Sequence, residues 1–208
     1  NLDKLQIQSI NTWDRFFNKK YSFIIKDFHG QAVNSTCCPE CKYNTYNFDP
    51  MLIISLDIDD STDTIYDSLD KYVNEYVIDD ENLWKCDKCH KDVKCVKKNN
   101  FWRLPDILII LIKQYNDNTR KLNKYLEYPM ELEMDEYCIN YKGESLDYDL
   151  QSICIHSGSL GGGHYYAYCK NLKDNDWRQY NDTNVSKPLT EEHILKQKPY
   201  CLFYRRKN

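Results

Sequence analysis

A chain of 208 residues is long enough for one large domain or two small ones with a real hydrophobic core. Its 28 Lys and Arg stand against 32 Asp and Glu, a formal charge of −4 with the signs interspersed; there is no basic stripe for nucleic acid and no acidic tail suggesting a disordered arm. The longest apolar runs, ILIILI at 107–112 and MLIIS at 51–55, are far too short to cross a bilayer, and the opening NLDKLQIQSINTWDRFF lacks the charged start and apolar stretch of a signal peptide.

Along the chain, TWDRFFNKKYSFIIKDF (12–28) reads as a short helix leading into an apolar segment, with His29–Gly30 as a turn. NSTCCPECKYNTYNF (34–48) is a knuckle between strand-like flanks, and MLIISLDI (51–58) is a strand. In STDTIYDSLDKYVNEYVI (61–78), Ile65, Leu69, Tyr72, Tyr76 and Val77 recur at helical spacing behind an acidic first turn, which predicts a helix. A second knuckle follows, then VKCVKKNNFWRL as strand material. PDILIILIKQY (105–115) reads as a buried strand, a proline stop followed by a continuous apolar run. NDNTRKLNK (116–124) is a polar loop, after which strands recur at LQSICIH, HYYAYCK, WRQYN and YCLFYRR. One helix amid many strands in the second half gives an α+β fold with an antiparallel sheet.

Ten cysteines could mean disulfides, but their arrangement argues for metal. CPEC at 38–41 and CDKC at 86–89 are two Cys-x-x-Cys knuckles, each able to supply two corners of a tetrahedron from one tight turn. Cys38, Cys41, Cys86 and Cys89 therefore suit one zinc ion. The plainer reading is two unrelated stretches, one of them a redox motif. Cys37 abuts Cys38 and His90 abuts Cys89, so either could stand in as a ligand. The gap between the pairs holds a whole strand and helix, so the ion would staple distant strands and leave no open position for catalysis. Cys95, Cys138, Cys154, Cys169 and Cys201 are scattered in strand-like stretches, which points to a reducing, intracellular compartment.

Residues 158–168, GSLGGGHYYAY, place four of the chain's six glycines within six residues, directly before His164. A glycine-rich hairpin turn would explain this. So would a place where another backbone passes close to an imidazole held at a strand start. His156 lies in the preceding strand, and His29 and His193 read as turn or surface residues; none has such an approach.

The zinc clip, the apolar strand after LP and the glycine-led histidine, in that order, resemble the ubiquitin-specific proteases, papain-like cysteine peptidases that remove ubiquitin. DFHGQAVNSTCCPEC is similar to the start of that family's zinc-bearing fingers, and LPDILIILIKQY…RKL…EYP to its LP-x-x-L-I-I-x-L-K-R-F…K…FP stretch. ICIHSGSLGGGHYYAYCK, WRQYNDTNV and YCLFYRR follow its histidine box to the end of the domain, so the match runs over nearly the whole chain. The resemblance implies zinc-bearing β fingers at approximately 30–104 and an antiparallel palm sheet at 105–208. It implies that His164 is the catalytic base, that Asn181, after Tyr180, is the third triad member, and that Asp182 supports the site. Gly161, Gly162, Gly163 and Tyr165 would border the channel for ubiquitin's Gly-Gly tail, and the 116–124 loop would form a second closure. Tyr166 and Tyr168 are read as packing. One structural zinc, with ubiquitin and its conjugates as partners and neither nucleic acid nor membrane, completes the expectation.

One departure matters. The family's nucleophile is a cysteine in an Asn- and Gly-rich box, and none of the ten cysteines has that context. The expectation is therefore a partial catalytic domain without the Cys-bearing lobe, supplying base and orienter but inactive alone. The other reading is a non-catalytic ubiquitin-binding zinc module from an inactive relative.

Overall fold

The computed structural model describes residues 2–79, 81–115, 121–122, 124–140, 145–159 and 162–207. In chain order its elements begin with α1 (Leu2–Phe16), α2 (Phe23–Phe28), β1 (Gly30–Cys37), β2 (Asn44–Met51), β3 (Ile54–Asp57) and α3 (Ile65–Val73). Short strands β4 (Tyr76–Val77), β5 (Trp84–Lys85) and β6 (Asp92–Val93) precede β7 (Val96–Arg103), β8 (Ile107–Lys113) and β9 (Glu131–Glu133). Strands β10 (Asp147–Ser159), β11 (Gly162–Lys170), β12 (Trp177–Asn181) and β13 (Asn184–Val185), helix α4 (Glu191–Leu195) and strand β14 (Cys201–Arg206) complete the chain. The chain divides into two compact units. One comprises 1–51, 70–105 and 136–143, the other 52–69, 106–135 and 144–208. The crossing at Pro105–Asp106 falls at the LP of the sequence, whereas 52–69 lie with the second unit and 136–143 with the first.

In the first unit an antiparallel sheet runs in the order β2-β1-β7-β4. Helix α1 begins well before position 12. Leu5, Ser9 and Trp13 recur every four residues on one side of it; Leu5 meets the cluster of Val33, Phe48 and Trp102, and Ser9 is buried. The apolar segment that follows is itself a short helix, because the Ser22 hydroxyl accepts the Ile25 amide and starts α2. His29 caps that helix, and Gly30 opens β1 instead of turning; a Cβ there would sit 2.6 Å from the Arg103 carbonyl.

The helix expected over 61–78 is shorter. It starts at Ile65 rather than 61, behind a reciprocal cap: the Asp67 carboxylate accepts from the Asp63 and Thr64 amides, and the Thr64 hydroxyl accepts the Asp67 amide. It ends at Val73, because Tyr76 and Val77 pair with Lys97 and Val96 of β7. Long-range strand pairing overrides the helical spacing there.

The second unit is built on a sheet in the order β13-β12-β11-β10-β14-β8-β3, with β9 also on β10. All pairs are antiparallel except β3 with β8. The run after LP alternates: Leu108, Ile110 and Ile112 are buried, while Ile107, Ile109 and Leu111 are only half-buried. The buried row joins Tyr148, Leu150, Ile153, Tyr168, Leu202 and Tyr204 in the core, each large apolar side chain contributing roughly 1.5–3 kcal/mol by leaving water. Buried tyrosine hydroxyls are satisfied, Tyr128 donating to the Ile194 carbonyl at 2.6 Å and Tyr204 to that of Pro129 at 2.8 Å.

A bulge decides which face carries what. The β10–β14 register skips Gln151, pairing Leu150 with Tyr204 and Ser152 with Phe203. Leu150 and Ile153, three apart in sequence, therefore both face the core. From Ile153 onward alternation resumes, so His156 and His164 fall on opposite faces, as Ser157 is the partner of His164 and Tyr165 that of His156.

Candidate active site and metal centre

Strands β1 and β2 meet at Cys37 and Asn44, leaving the first Cys-x-x-Cys as the connecting turn. The second knuckle joins β5 to β6. Each knuckle closes with the same backbone bond, the Lys42 amide to the Cys38 carbonyl at 3.0 Å and the His90 amide to that of Cys86 at 2.8 Å. Lys42 and His90 both take positive φ, 58° and 59°, turning the chain away after the second cysteine. The four sulfurs lie within 4.8 Å of one another. Cys38 and Cys89 are 3.8 Å apart and Cys41 and Cys86 3.6 Å. A Zn–S bond of about 2.3 Å sets the edge of a ZnS₄ tetrahedron at about 3.8 Å, so the spacing fits. Neither Cys37 nor His90 belongs to the group. Burial pushes the Cys41 thiol up to about 12. Burial also opposes ionisation at Cys86, but the Cys89 and Lys88 amides and the neighbouring thiols bring it down to about 7. Thiols so crowded ionise together most readily around a cation.

At the other chemistry-bearing cluster, β12 and β13 form a hairpin around Asp182 and Thr183, with Asn181 paired to Asn184 and Asp182 at φ 50°. Alternation along β11 and β12 puts His164, Tyr166, Tyr168, Gln179 and Asn181 on one face. There Nε2 of His164 lies 2.6 Å from Oδ1 of Asn181. An amide oxygen only accepts, so Nε2 donates and the lone pair of the neutral ring is on Nδ1. The Asp182 carboxylate is 3.8 Å from the same Nε2, and both side chains are largely in water. The imidazole is offset-stacked with Tyr166, 6.3 Å between ring centres and 25° between planes, and Tyr166 meets Tyr168 edge-on.

The glycines divide into distinct cases. Gly161 lies outside the described residues, as does most of the 116–124 loop. Gly162 has open space around it. Gly163 does not, since a Cβ there would meet Nε2 of His156 at 2.2 Å and the Ser157 carbonyl at 2.6 Å. Nδ1 of His156 lies 3.2 Å from the Tyr115 hydroxyl, and the Lys121 ammonium donates to the His156 carbonyl at 2.6 Å. Tyr165, 54% exposed, packs against His156 with ring centres 4.6 Å apart and planes tilted by 31°, on the face opposite His164. Sequence reasoning missed this second histidine cluster; His156 pairs with Tyr165, one residue past His164, and its ring packs beside Gly163.

A family model for ubiquitin carboxyl-terminal hydrolases matches residues 2–204. The chain belongs to the ubiquitin carboxyl-terminal hydrolase family. It is 32% identical to a probable ubiquitin carboxyl-terminal hydrolase of Acanthamoeba polyphaga mimivirus, over 98% of this chain and 46% of that protein. It is 31% identical to ubiquitin carboxyl-terminal hydrolase 8 of Saccharomyces cerevisiae, over 96% of this chain and 45% of the relative. The chain thus spans less than half the length of these curated relatives. Among solved structures, a SAGA DUB module of Ubp8, Sgf11, Sus1 and Sgf73 bound to monoubiquitin superposes with a TM-score of 0.82 at 30% identity, covering 91% of this chain and 43% of that one. The Ubp8 module bound to ubiquitin aldehyde gives 0.81 at 28%, with the same coverage. The α+β architecture expected from the sequence is the hydrolase-family fold.

Proposed function

We propose that this chain carries the base and the orienting amide of a thiol-dependent deubiquitinase that hydrolyses the bond after ubiquitin's C-terminal glycine. Family membership and the ubiquitin bound to the similar modules support the substrate. One observation carries the assignment within the chain: the contact between His164 Nε2 and Asn181 Oδ1 leaves Nδ1 as the proton acceptor. In this reading Nδ1 takes the proton of a cysteine thiol, and the thiolate attacks the glycine carbonyl carbon. The imidazolium returns the proton to the leaving amine. Water, deprotonated by the same nitrogen, then releases ubiquitin from the acyl-enzyme. Asn181 holds tautomer and ring plane, and Asp182 supports the site from 3.8 Å.

The thiol is proposed to come from outside these 208 residues. In the second unit Cys154, Cys169 and Cys201 stand on the face opposite His164. The first unit's knuckles are the fingers in this reading, and Cys38, Cys41, Cys86 and Cys89 would hold one zinc. Four thiolates fill the ion's coordination, so its chemistry is structural, tying two distant turns together. A reducing, intracellular setting suits ten free thiols.

The test is release of a fluorophore from the C-terminal amide of ubiquitin by the full-length protein. His164→Ala is expected to cost about 10²–10⁴-fold, the contribution typical of general acid–base catalysis. An undiminished rate would remove His164 from the mechanism, and release by the 208-residue chain alone would refute the external thiol.

A further inference from the structure

Strand β7 ends on Arg103, whose guanidinium carbon lies 3.7 Å from the centre of the Trp13 ring on α1. Cation–π attraction seats the guanidinium over the indole face, and the planar group keeps its N–H edge to offer. Among the described residues no carboxylate lies within ion-pair distance of it. Beside it is a cavity of about 120 Å³ bordered by Gln6, Ser9, Gln31 and Asn140, and no acidic residue is among its described walls. Ser9 and Gln31, 5% and 2% exposed, satisfy each other: the Ser9 hydroxyl donates to Gln31 Oε1 at 2.6 Å, and Gln31 Nε2 to the Ser9 carbonyl at 3.1 Å. The polar floor is therefore closed and rigid, and the open capacity at the rim is a positively charged fork of donors.

We propose that this pocket binds a carboxylate, an aspartate or glutamate side chain or a chain terminus, in a bidentate pair with Arg103. Pre-stacking on Trp13 means that little guanidinium freedom is lost on binding, and the planar fork matches a carboxylate's two oxygens. The volume equals that of about four waters at ~30 Å³ each, room for a carboxylate and its methylene but not for a large ligand. A phosphate dianion would face a single cation, which disfavours it. The proposal is independent of the catalytic reading, because every residue it uses lies in the first unit.

The experiment is NMR of protein labelled with ¹⁵N in arginine and tryptophan, titrated with sodium acetate. Sodium chloride at matched ionic strength and inorganic phosphate form the parallel arms. Saturable shifts of the Arg103 Nε–H and the Trp13 indole N–H are expected with acetate and not with chloride. Arg103→Lys, which keeps the charge but lacks the fork, should raise the half-saturating acetate concentration severalfold, and Arg103→Met should abolish saturation. N-acetylaspartate amide and N-acetylglycine then distinguish a side-chain source from a terminal one. A linear response, one shared with chloride, saturation by phosphate at lower concentration than by acetate, or an Arg103→Lys variant that binds acetate unchanged overturns the assignment.

Discussion

Adding one methyl group at Gly163 tests why the glycines precede His164. The Cβ of Gly163→Ala would fall 2.2 Å from Nε2 of His156 and 2.6 Å from the Ser157 carbonyl. The imidazole is held by the Tyr115 hydroxyl and the Tyr165 ring, and the carbonyl belongs to the paired strand, so neither can yield freely. Overpacking of this kind costs roughly 1–3 kcal/mol. Neither Gly162 nor Gly163 has a left-handed φ, so alanine at either also restricts the unfolded chain, a gain of roughly 0.4–1 kcal/mol. Gly163→Ala should therefore be destabilising on balance, while Gly162→Ala, with nothing within 4 Å, should be neutral or slightly stabilising. Urea unfolding combined with hydrogen exchange across β10 and β11 measures both. His156→Ala should relieve Gly163→Ala in a double-mutant cycle, because it removes one of the two clashing partners. Equal stability of the two alanine variants would show that the imidazole does not require the glycine.

Purified protein should carry one zinc per chain, and Cys86→Ser should lose it; full occupancy in that variant, measured by elemental analysis, contradicts the ligand set. Zinc affinity should fall as pH is lowered, because protons compete for the four sulfurs, and a competition titration with a chelating dye reads this directly. In the full-length protein Asn181→Ala should reduce turnover less than His164→Ala, because it loses the orientation of the base but not the base, with Asp182→Ala close to Asn181→Ala. The assay is the same fluorophore release at equal folded protein. Tyr166→Phe should keep the His164 side chain ordered by ring NMR, whereas Tyr166→Ala should broaden it, since the offset stack needs the ring and not the hydroxyl.

Much of this was legible in the chain. Cys-x-x-Cys spacing nominated the four clustered cysteines because a knuckle is local, its geometry set within a few residues. The strand after LP and the hairpin around the glycines were likewise readable, because composition and turn residues act over short range. Tertiary structure decided the rest. Tyr76 and Val77 had helical spacing but went to β7, and α1 began well before position 12, with Leu5 against Val33, Phe48 and Trp102. The skipped Gln151 could not be read from LQSICIH, yet it sets which side chains share a face. A face in a sheet is fixed by register with a partner strand remote in sequence, and one residue of slip reverses it. For that reason the sequence could nominate His164 and Asn181, but only the paired strands could bring Nε2 within 2.6 Å of the amide oxygen and turn His156 to the other side.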